Sequence, residues 1–227
     1  DPSCKYLDGQ IAHKVKFVQD FVPEDNPVIL IGHSIGCYMI LKMMDVLDSK
    51  RVIQSALLFP TIERMAESPK GRTFTRMSGV LGAVGHLPVY PLYYLMPNSL
   101  RYYLTKLYFM NKVPETAVQG TVRLVNPDCV ANAISMAKTE MEQVKDLDHD
   151  MIKRHLDKLM FYYGAEDHWC PLEYAHDMRA AHPSADLKIC DRGFEHAFCL
   201  KNSIGMAEVL WDWFKVKVPH IFTTNRI

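Results

Sequence analysis

The sequence predicts an α/β fold, in which a mostly parallel sheet is flanked by helices within one domain over residues 1–227. A continuous apolar run at 28–31 predicts a strand that is buried on both faces of such a sheet, and a mostly apolar segment at 52–59 predicts a second buried strand. Between them, the apolar residues of 37–47 recur at helical spacing. Strand, helix and strand in this order form a βαβ unit, which joins two parallel neighbours.

The other elements follow from the same periodicities. An amphipathic helix is predicted at 7–20, immediately before the first strand. Two further strands are predicted at 159–163 and 187–190. The remaining helical patterns lie at 128–145, 151–157, 171–181 and 202–216.

Residues 61–126 hold no obvious strand pattern, so we expect a helical, apolar cap or lid inserted into the domain. Within this insertion, residues 77–100 contain no Asp, Glu, Lys or Arg, which is a length that could span a bilayer. Its glycines and prolines argue against a plain transmembrane helix. Basic and aromatic residues follow from Arg101 onward, as at membrane interfaces. The segment is therefore predicted to contact lipid or cover a lipid pocket, with an ordinary buried cap as the alternative.

Composition excludes some classes of function. Lys plus Arg and Asp plus Glu are each 26, and this zero net charge argues against a nucleic-acid partner. The six cysteines form no CxxC pair and no zinc-like cluster with histidine. We therefore expect reduced thiols, and neither a metal nor another cofactor.

A GxSxG motif at Gly32, Ser34 and Gly36 lies between the first strand and its helix. This is the nucleophile elbow of α/β-hydrolases, in which a sharp turn strains the serine backbone and exposes its hydroxyl. The flanking glycines are expected because the turn needs small neighbours. The backbone N–H of Ile35, at the start of the helix, is the predicted first oxyanion donor, and His33 is predicted to line the substrate pocket.

A serine nucleophile needs a base and an orienting acid, which follow it in the order acid, then histidine. Asp167 comes directly after the strand at 159–163 and is the predicted acid, with Glu166 as the alternative. His196 is the predicted base among ten histidines, because it follows the last strand and precedes the final helix. A free imidazole titrates near pH 6.5, so it can both accept and return a proton.

The beginning of the chain departs from this fold. An α/β-hydrolase has several strands before the nucleophile, and a loop among them supplies the second oxyanion donor. No such segment precedes the helix at 7–20. We therefore expect the N-terminal strands and the second donor to be missing from this chain.

Several segments resemble the lipid droplet-associated hydrolase family, over residues from about 5 to about 216. They are Gln10-Ile11-x-His13-Lys14, Leu30-Ile31-Gly32-His33-Ser34-Ile35-Gly36, Leu58-Phe59-Pro60-Thr61-Ile62-Glu63-Arg64-Met65, Phe161-Tyr162-Tyr163-Gly164, Asp167-x-Trp169-Cys170-Pro171 and His196-Ala197-Phe198. The third segment is long and distinctive, which argues against a chance match.

The resemblance implies an α/β-hydrolase with Ser34, Asp167 and His196 as its catalytic triad. It implies residence on lipid droplets and the cytosolic face of the endoplasmic reticulum, with the 61–126 insertion facing the droplet. It also implies weak hydrolysis of neutral-lipid esters, sterol esters above all, and a role in cholesterol and triglyceride homeostasis. Two alternatives stay open: a non-catalytic droplet protein that uses this fold for binding or membrane shaping, and thioester or peptide cleavage by the same triad.

Overall fold

A computed structural model describes residues 2–48, 50–84, 89–110 and 112–223. In these residues, four parallel strands form one sheet in the order β1-β2-β3-β4. The strands are β1 (Val28–His33), β2 (Val52–Leu58), β3 (Leu159–Tyr163) and β4 (Asp186–Ile189). The predicted parallel sheet is thus confirmed for the described part of the chain, and the carboxyl ends of its strands meet at one edge.

Helices connect these strands and complete the α/β arrangement. Outside the insertion they are α1 (Leu7–Phe21), α2 (Ile35–Met44), α7 (Pro127–Gln143), α8 (His149–His155), α9 (Leu172–Ala181), α10 (Phe198–Lys201), α11 (Ser203–Lys217) and α12 (Pro219–Thr223). A short 3₁₀ turn (Pro2–Lys5) precedes α1, and another (Leu156–Lys158) precedes β3. The observed bounds agree with the sequence periodicities to within three residues at each end.

The core lies around the two central strands. All five residues of β3 are buried, and β2 is buried at every position except Ile53. The first strand differs, since β1 pairs on one side only within the described residues and Ile31 is 54% exposed. Val28, Ile29 and Leu30 are only partly buried, so the expectation that the run 28–31 is buried on both faces is wrong.

The 61–126 insertion is helical where the structure describes it. A 3₁₀ turn (Met65–Glu67) leads into α3 (Pro69–Val84), α4 (Val89–Leu95), α5 (Asn98–Tyr108) and α6 (Glu115–Leu124). The described part contains no strand, as predicted, while 85–88 of the uncharged segment lie outside the described residues. None of the helices in the described ranges combines the length and the hydropathy that crossing a membrane requires.

A small apolar cluster joins the base of the insertion to the domain. Met65 and Met141 pack there with Leu7 of α1, Met39 of α2 and Val144, and all five side chains are buried. Because α7 lies in the same cluster, the chain returns from the insertion to the helices beside β1. This contact packs the base of the insertion against α1 and α2.

Candidate active site

Ser34 occupies a strained turn between β1 and α2. Its φ is 56° and its ψ is −126°, a region that a residue with a side chain rarely adopts. The Ser34 N–H donates to the carbonyl of Leu58 at 3.0 Å, which ties the turn to β2, and the Ser34 carbonyl accepts from Cys37 N–H at 2.9 Å. The sequence motif therefore has the backbone strain that a nucleophile elbow requires.

The two glycines of the motif are not equivalent. A Cβ on Gly32 would lie 2.7 Å from Cδ1 of Ile40 and 2.8 Å from the backbone carbonyl of Gly36. A Cβ on Gly36 would meet nothing within 4 Å beyond its own helix. The expected need for a small residue on both sides of Ser34 thus applies at Gly32, while Gly36 has room for a methyl group.

The structure brings Ser34, His196 and Asp167 into one hydrogen-bonded chain. Asp167 follows β3 and His196 follows β4, so both lie at the same edge of the sheet as the turn after β1. His196 Nδ1 is 2.6 Å from Asp167 Oδ2, and His196 Nε2 is 2.9 Å from Ser34 Oγ. Three residues separated by up to 162 positions in sequence thus meet within hydrogen-bond distance.

The Asp167 carboxylate fixes the tautomer of His196. Burial alone would raise the pKa of Asp167, whose side chain has no solvent exposure, but hydrogen bonds from His196, Cys170 and the Trp169 amide outweigh burial and lower it. An ionised carboxylate only accepts hydrogen bonds, so the proton lies on His196 Nδ1. In the neutral imidazole Nε2 is then an acceptor, which is the form that can take the Ser34 proton.

Glu166, the alternative acid, lies in a different environment from Asp167. Glu166 is exposed and lines the rim of the cleft beside His196, whereas Asp167 is buried beneath that histidine. Trp169 N–H donates to Asp167 Oδ1 at 2.7 Å, which holds the carboxylate from the side opposite His196. The geometry therefore favours Asp167 over Glu166 as the partner of the histidine.

The thiol of Cys170 also reaches the acid. Its Sγ lies 2.9 Å from Asp167 Oδ2. Ligand atoms of Asp167, Cys170 and His196 lie within 4.8 Å of one another, and among the described residues they are the set of three with a spacing that could hold a metal ion. Their mutual hydrogen bonds already account for that spacing.

His33 contacts the backbone of the loop that carries His196. His33, which the sequence predicts to line the substrate pocket, has its Nε2 2.7 Å from the backbone carbonyl of His196. Burial is the main cause of the lowered pKa of His33, so the ring is neutral and donates its Nε2–H to that carbonyl. Its ring also packs edge-on against Phe198, at 4.8 Å between ring centres. His33 thus holds the backbone of the loop that carries His196.

Phe59 also supports His196, although no sequence motif marks it for this role. It is fully buried at the end of β2 with a φ of 50°, and its ring lies 5.9 Å from the His196 ring and stacks on Phe198 at 5.4 Å. Gly164 leaves space for it, because a Cβ there would lie 2.5 Å from the Phe59 ring. The sequence feature that could have indicated this role is a bulky residue directly after β2, the strand next to β1.

A cleft of about 950 Å³ opens beside His196 and Asp167. The loops after β3 and β4 form one wall, with Trp169 among the residues that line it. Lys70 and Tyr108 come from the insertion and line the other side. The insertion thus contributes directly to the cleft, as a cap would.

The backbone at the start of α2 offers an anion site next to Ser34. Ile35 is the first residue of that helix, and the first N–H groups of a helix have no acceptor within the helix. The partial positive charge of the helix N-terminus adds to their effect on an anion. A second donor from an earlier strand, expected to be missing from this chain, has no counterpart in the described residues.

Comparisons with known proteins agree with this architecture. The family model for lipid-droplet associated hydrolases matches residues 3–199. Lipid droplet-associated hydrolase from Gallus gallus is 40% identical over 211 residues, which cover 92% of this chain and 65% of that protein. The Homo sapiens protein is 39% identical, with 92% and 64% covered, and the Drosophila melanogaster protein is 34% identical, with 91% and 68% covered. The chain thus spans about two thirds of the length of these relatives.

Solved structures share the fold at low sequence identity. A 2-hydroxy-6-oxo-6-phenylhexa-2,4-dienoate hydrolase from Rhodococcus superposes with a TM-score of 0.62 at 16% identity, over 93% of this chain and 73% of that one. An esterase from Exiguobacterium antarcticum gives 0.60 at 17% identity, over 93% and 74%. These similarities, together with the parallel sheet and the elbow, show the α/β-hydrolase fold. The chain belongs to the lipid-droplet associated hydrolase family.

Proposed function

We propose that this chain is the catalytic part of a serine hydrolase that cleaves lipid esters. In this proposal Ser34 is the nucleophile, His196 the general base and Asp167 the acid that orients it. The observation that carries the proposal is the hydrogen-bonded chain from Asp167 through His196 to Ser34, built on a strained elbow. Membership of a hydrolase family supports the same conclusion.

The proposed reaction has two halves. Ser34 Oγ attacks the ester carbonyl carbon while its proton passes to His196 Nε2, and the oxyanion of the tetrahedral intermediate receives a hydrogen bond from Ile35 N–H. The C–O bond to the alcohol then breaks as His196 returns the proton to the leaving oxygen. In the second half, His196 Nε2 takes a proton from water as the water attacks the acyl carbon. The bond between that carbon and Ser34 Oγ then breaks, His196 returns the proton to Oγ, and the carboxylic acid is released.

The substrate is proposed to be a neutral-lipid ester, with sterol esters as the main candidate. A groove of about 300 Å³ lies between α5 and α6, lined mainly by apolar side chains such as Leu104, Val122 and Val125. Tyr108 lines both this groove and the cleft beside His196. The groove and the cleft therefore adjoin at Tyr108, and we propose that the acyl chain of the substrate passes this residue to reach the groove.

Filling the groove should lower the rate of hydrolysis of long-chain esters and leave that of short-chain esters nearly unchanged. We expect Val122→Trp to reduce hydrolysis of p-nitrophenyl palmitate by about tenfold or more, because each methylene kept in water forfeits about 0.8 kcal/mol. Hydrolysis of p-nitrophenyl acetate should stay within about twofold, since its acyl group is too short to reach the groove. The measurement is kcat/KM for both esters, each presented below its critical micelle concentration.

Thr116→Trp is the matched control, because Thr116 lies on the same helix and is exposed away from the groove. It should leave the ratio of the two rates unchanged. If Val122→Trp lowers both rates equally, the groove is not the acyl site. If the wild-type chain hydrolyses neither ester, the esterase proposal itself fails.

We further propose that α5 rests on the lipid droplet monolayer and on the cytosolic face of the endoplasmic reticulum. Leu100, Tyr103 and Leu107 follow one another at helical spacing and are 43%, 62% and 60% exposed. No α5 side chain is buried. Lys106 lies beside Leu107 on the same helix, with its ammonium group 5.8 Å from the centre of the Tyr102 ring, and is the proposed cation for phospholipid headgroups. The family's name supports droplet residence, and the exposed face suggests the contact.

Charges placed on this face should release the protein from lipid. The double variant Tyr103→Glu/Leu107→Glu should bind triolein droplets coated with phosphatidylcholine at least about tenfold more weakly, because two apolar side chains no longer enter the monolayer. Flotation of the droplets measures the bound fraction. The control Ile204→Glu/Val216→Glu alters two apolar residues of α11 that are more exposed than the α5 pair, and it should leave binding unchanged. Equal loss in both double variants would mean that α5 is not the contact.

The same α5 face also favours a second candidate, a non-catalytic droplet-surface protein that uses the fold for binding. That function would need α5 but not the Ser34 hydroxyl. Under it, Ser34→Ala would retain the droplet phenotype of the wild-type protein, whereas under the esterase proposal the phenotype is lost. The complete hydrogen-bonded chain at Ser34 is the reason to favour the enzyme.

A further inference from the structure

Two hydrogen-bond donors contact the same oxygen of the Asp167 carboxylate. Asp167 Oδ2 lies 2.6 Å from His196 Nδ1 and 2.9 Å from the sulfur of Cys170. The Cys170 side chain is fully buried, as is the carboxylate. Water therefore does not compete for this oxygen, and the thiol is a fixed neighbour of the bond that orients the base.

The direction of the thiol hydrogen bond follows from chemistry. An ionised carboxylate has no proton to give, so the S–H must be the donor. Burial and the adjacent Asp167 charge raise the pKa of the Cys170 thiol well above its usual range, which keeps the proton on sulfur. The S–H hydrogen bond therefore weakens the electrostatic effect of the Oδ2 charge on His196.

Local structure keeps the thiol in place. The Asp167 carboxylate caps the turn that leads into α9, with Oδ1 accepting from Trp169 N–H at 2.7 Å and from Cys170 N–H at 3.4 Å. Pro171 follows as the residue before that helix. One oxygen is thus held by two backbone amides and the other by Cys170 and His196, so the carboxylate cannot rotate without losing bonds on both sides.

We propose that Cys170 is a positioning residue of the active site, whose thiol holds the Asp167 carboxylate in register with His196 and limits the charge that this carboxylate presents to the imidazole. This inference rests on the proposed serine-hydrolase function. It assigns a role to a buried thiol that the reaction steps themselves do not use.

The test compares Cys170→Ala with Cys170→Ser, using p-nitrophenyl acetate. The alanine variant removes the donor, so the full charge of Oδ2 acts on the imidazole and favours its protonated form. We expect the acid limb of its kcat/KM profile to move up by about half a pH unit or more, and kcat to fall about tenfold with KM unchanged. The serine variant keeps an O–H donor at this position and should restore both to within about twofold of wild type.

Cys37→Ala provides the matched control for loss of a buried thiol. Cys37 is equally buried, but its sulfur donates to the backbone carbonyls of Gly32 and Leu58 and not to Asp167. The acid limb of the kcat/KM profile of Cys37→Ala should coincide with that of the wild type. A readout without turnover is the far-downfield proton NMR resonance of His196 Nδ1–H, which should shift in Cys170→Ala and keep its position in Cys170→Ser.

The outcomes separate this inference from the proposed function. An acid limb or NMR resonance that stays in place in Cys170→Ala would overturn the role of Cys170, as would equal changes in the alanine and serine variants. If the wild-type chain has no esterase activity, the proposed function fails, and the NMR comparison still decides whether the thiol bonds the carboxylate that holds His196.

Discussion

Replacing Asp167 with asparagine should lower the rate of ester hydrolysis by about 10⁴-fold, the size of effect expected when the acid of such a triad loses its charge. The asparagine amide is nearly the same shape, so packing changes little. Its NH₂ group, however, would donate towards His196 Nδ1 and place the proton on Nε2. That nitrogen could then no longer accept the Ser34 proton at 2.9 Å.

Glu166→Gln is the matched control for this substitution. It removes the neighbouring carboxylate charge at an exposed position and should keep the rate within about twofold of wild type. Both variants would be assayed as kcat/KM for p-nitrophenyl acetate, with thermal unfolding to show that each is folded. A large loss in Glu166→Gln combined with a small one in Asp167→Asn would exchange the roles of the two acids.

The second large effect is expected at the elbow, from Gly32→Ala. The new methyl group would press against the backbone of Gly36 as well as the flexible end of Ile40, so the turn itself must move. We expect a loss of about 2–3 kcal/mol in the free energy of unfolding, as in overpacked sites. Displacement of Ser34 should also reduce reactivity by about 10²-fold, because misplacing a reacting group by about 1 Å has that effect.

Gly36→Ala tests the asymmetry of the motif. Its methyl group enters open space within a helix, where alanine is favoured over glycine by up to about 1 kcal/mol. The variant should therefore be as stable as wild type or slightly more so. Urea denaturation of both variants measures the difference, and similar losses at the two positions would contradict the steric account.

Local physics explains which parts of the fold were predictable. Buried parallel strands leave short, mostly apolar segments, and these located β2 and β3 to within one residue at each end. The elbow was equally clear, because a strained turn between a strand and a helix needs a particular pattern of small residues. The order of Asp167 and His196 along the chain then followed from the fold class, since each must come after a strand that ends beside Ser34.

Other features depend on contacts between segments far apart in sequence. Phe59 packs against the His196 ring from 137 positions away in the chain. His33 bonds the backbone carbonyl of His196 from 163 positions away. Neither contact leaves a periodic signal. The arrangement of α3 to α6 was also hidden, because glycine and proline interrupt the apolar pattern that would otherwise mark helix faces. The exposure of Ile31 shows the same limit, since an apolar run does not say which of its residues a neighbour will cover.

The most direct test of the central claim is labelling with a fluorophosphonate probe, which reacts with activated serine hydroxyls. The chain and its Ser34→Ala variant would be labelled side by side, with circular dichroism to show that both are folded and mass spectrometry to locate the modified peptide. We predict one modified peptide, with the probe on Ser34, and no labelling of the variant. A folded wild-type chain that remains unlabelled, or a variant that is labelled as strongly as wild type, would contradict the assignment of Ser34 as the nucleophile.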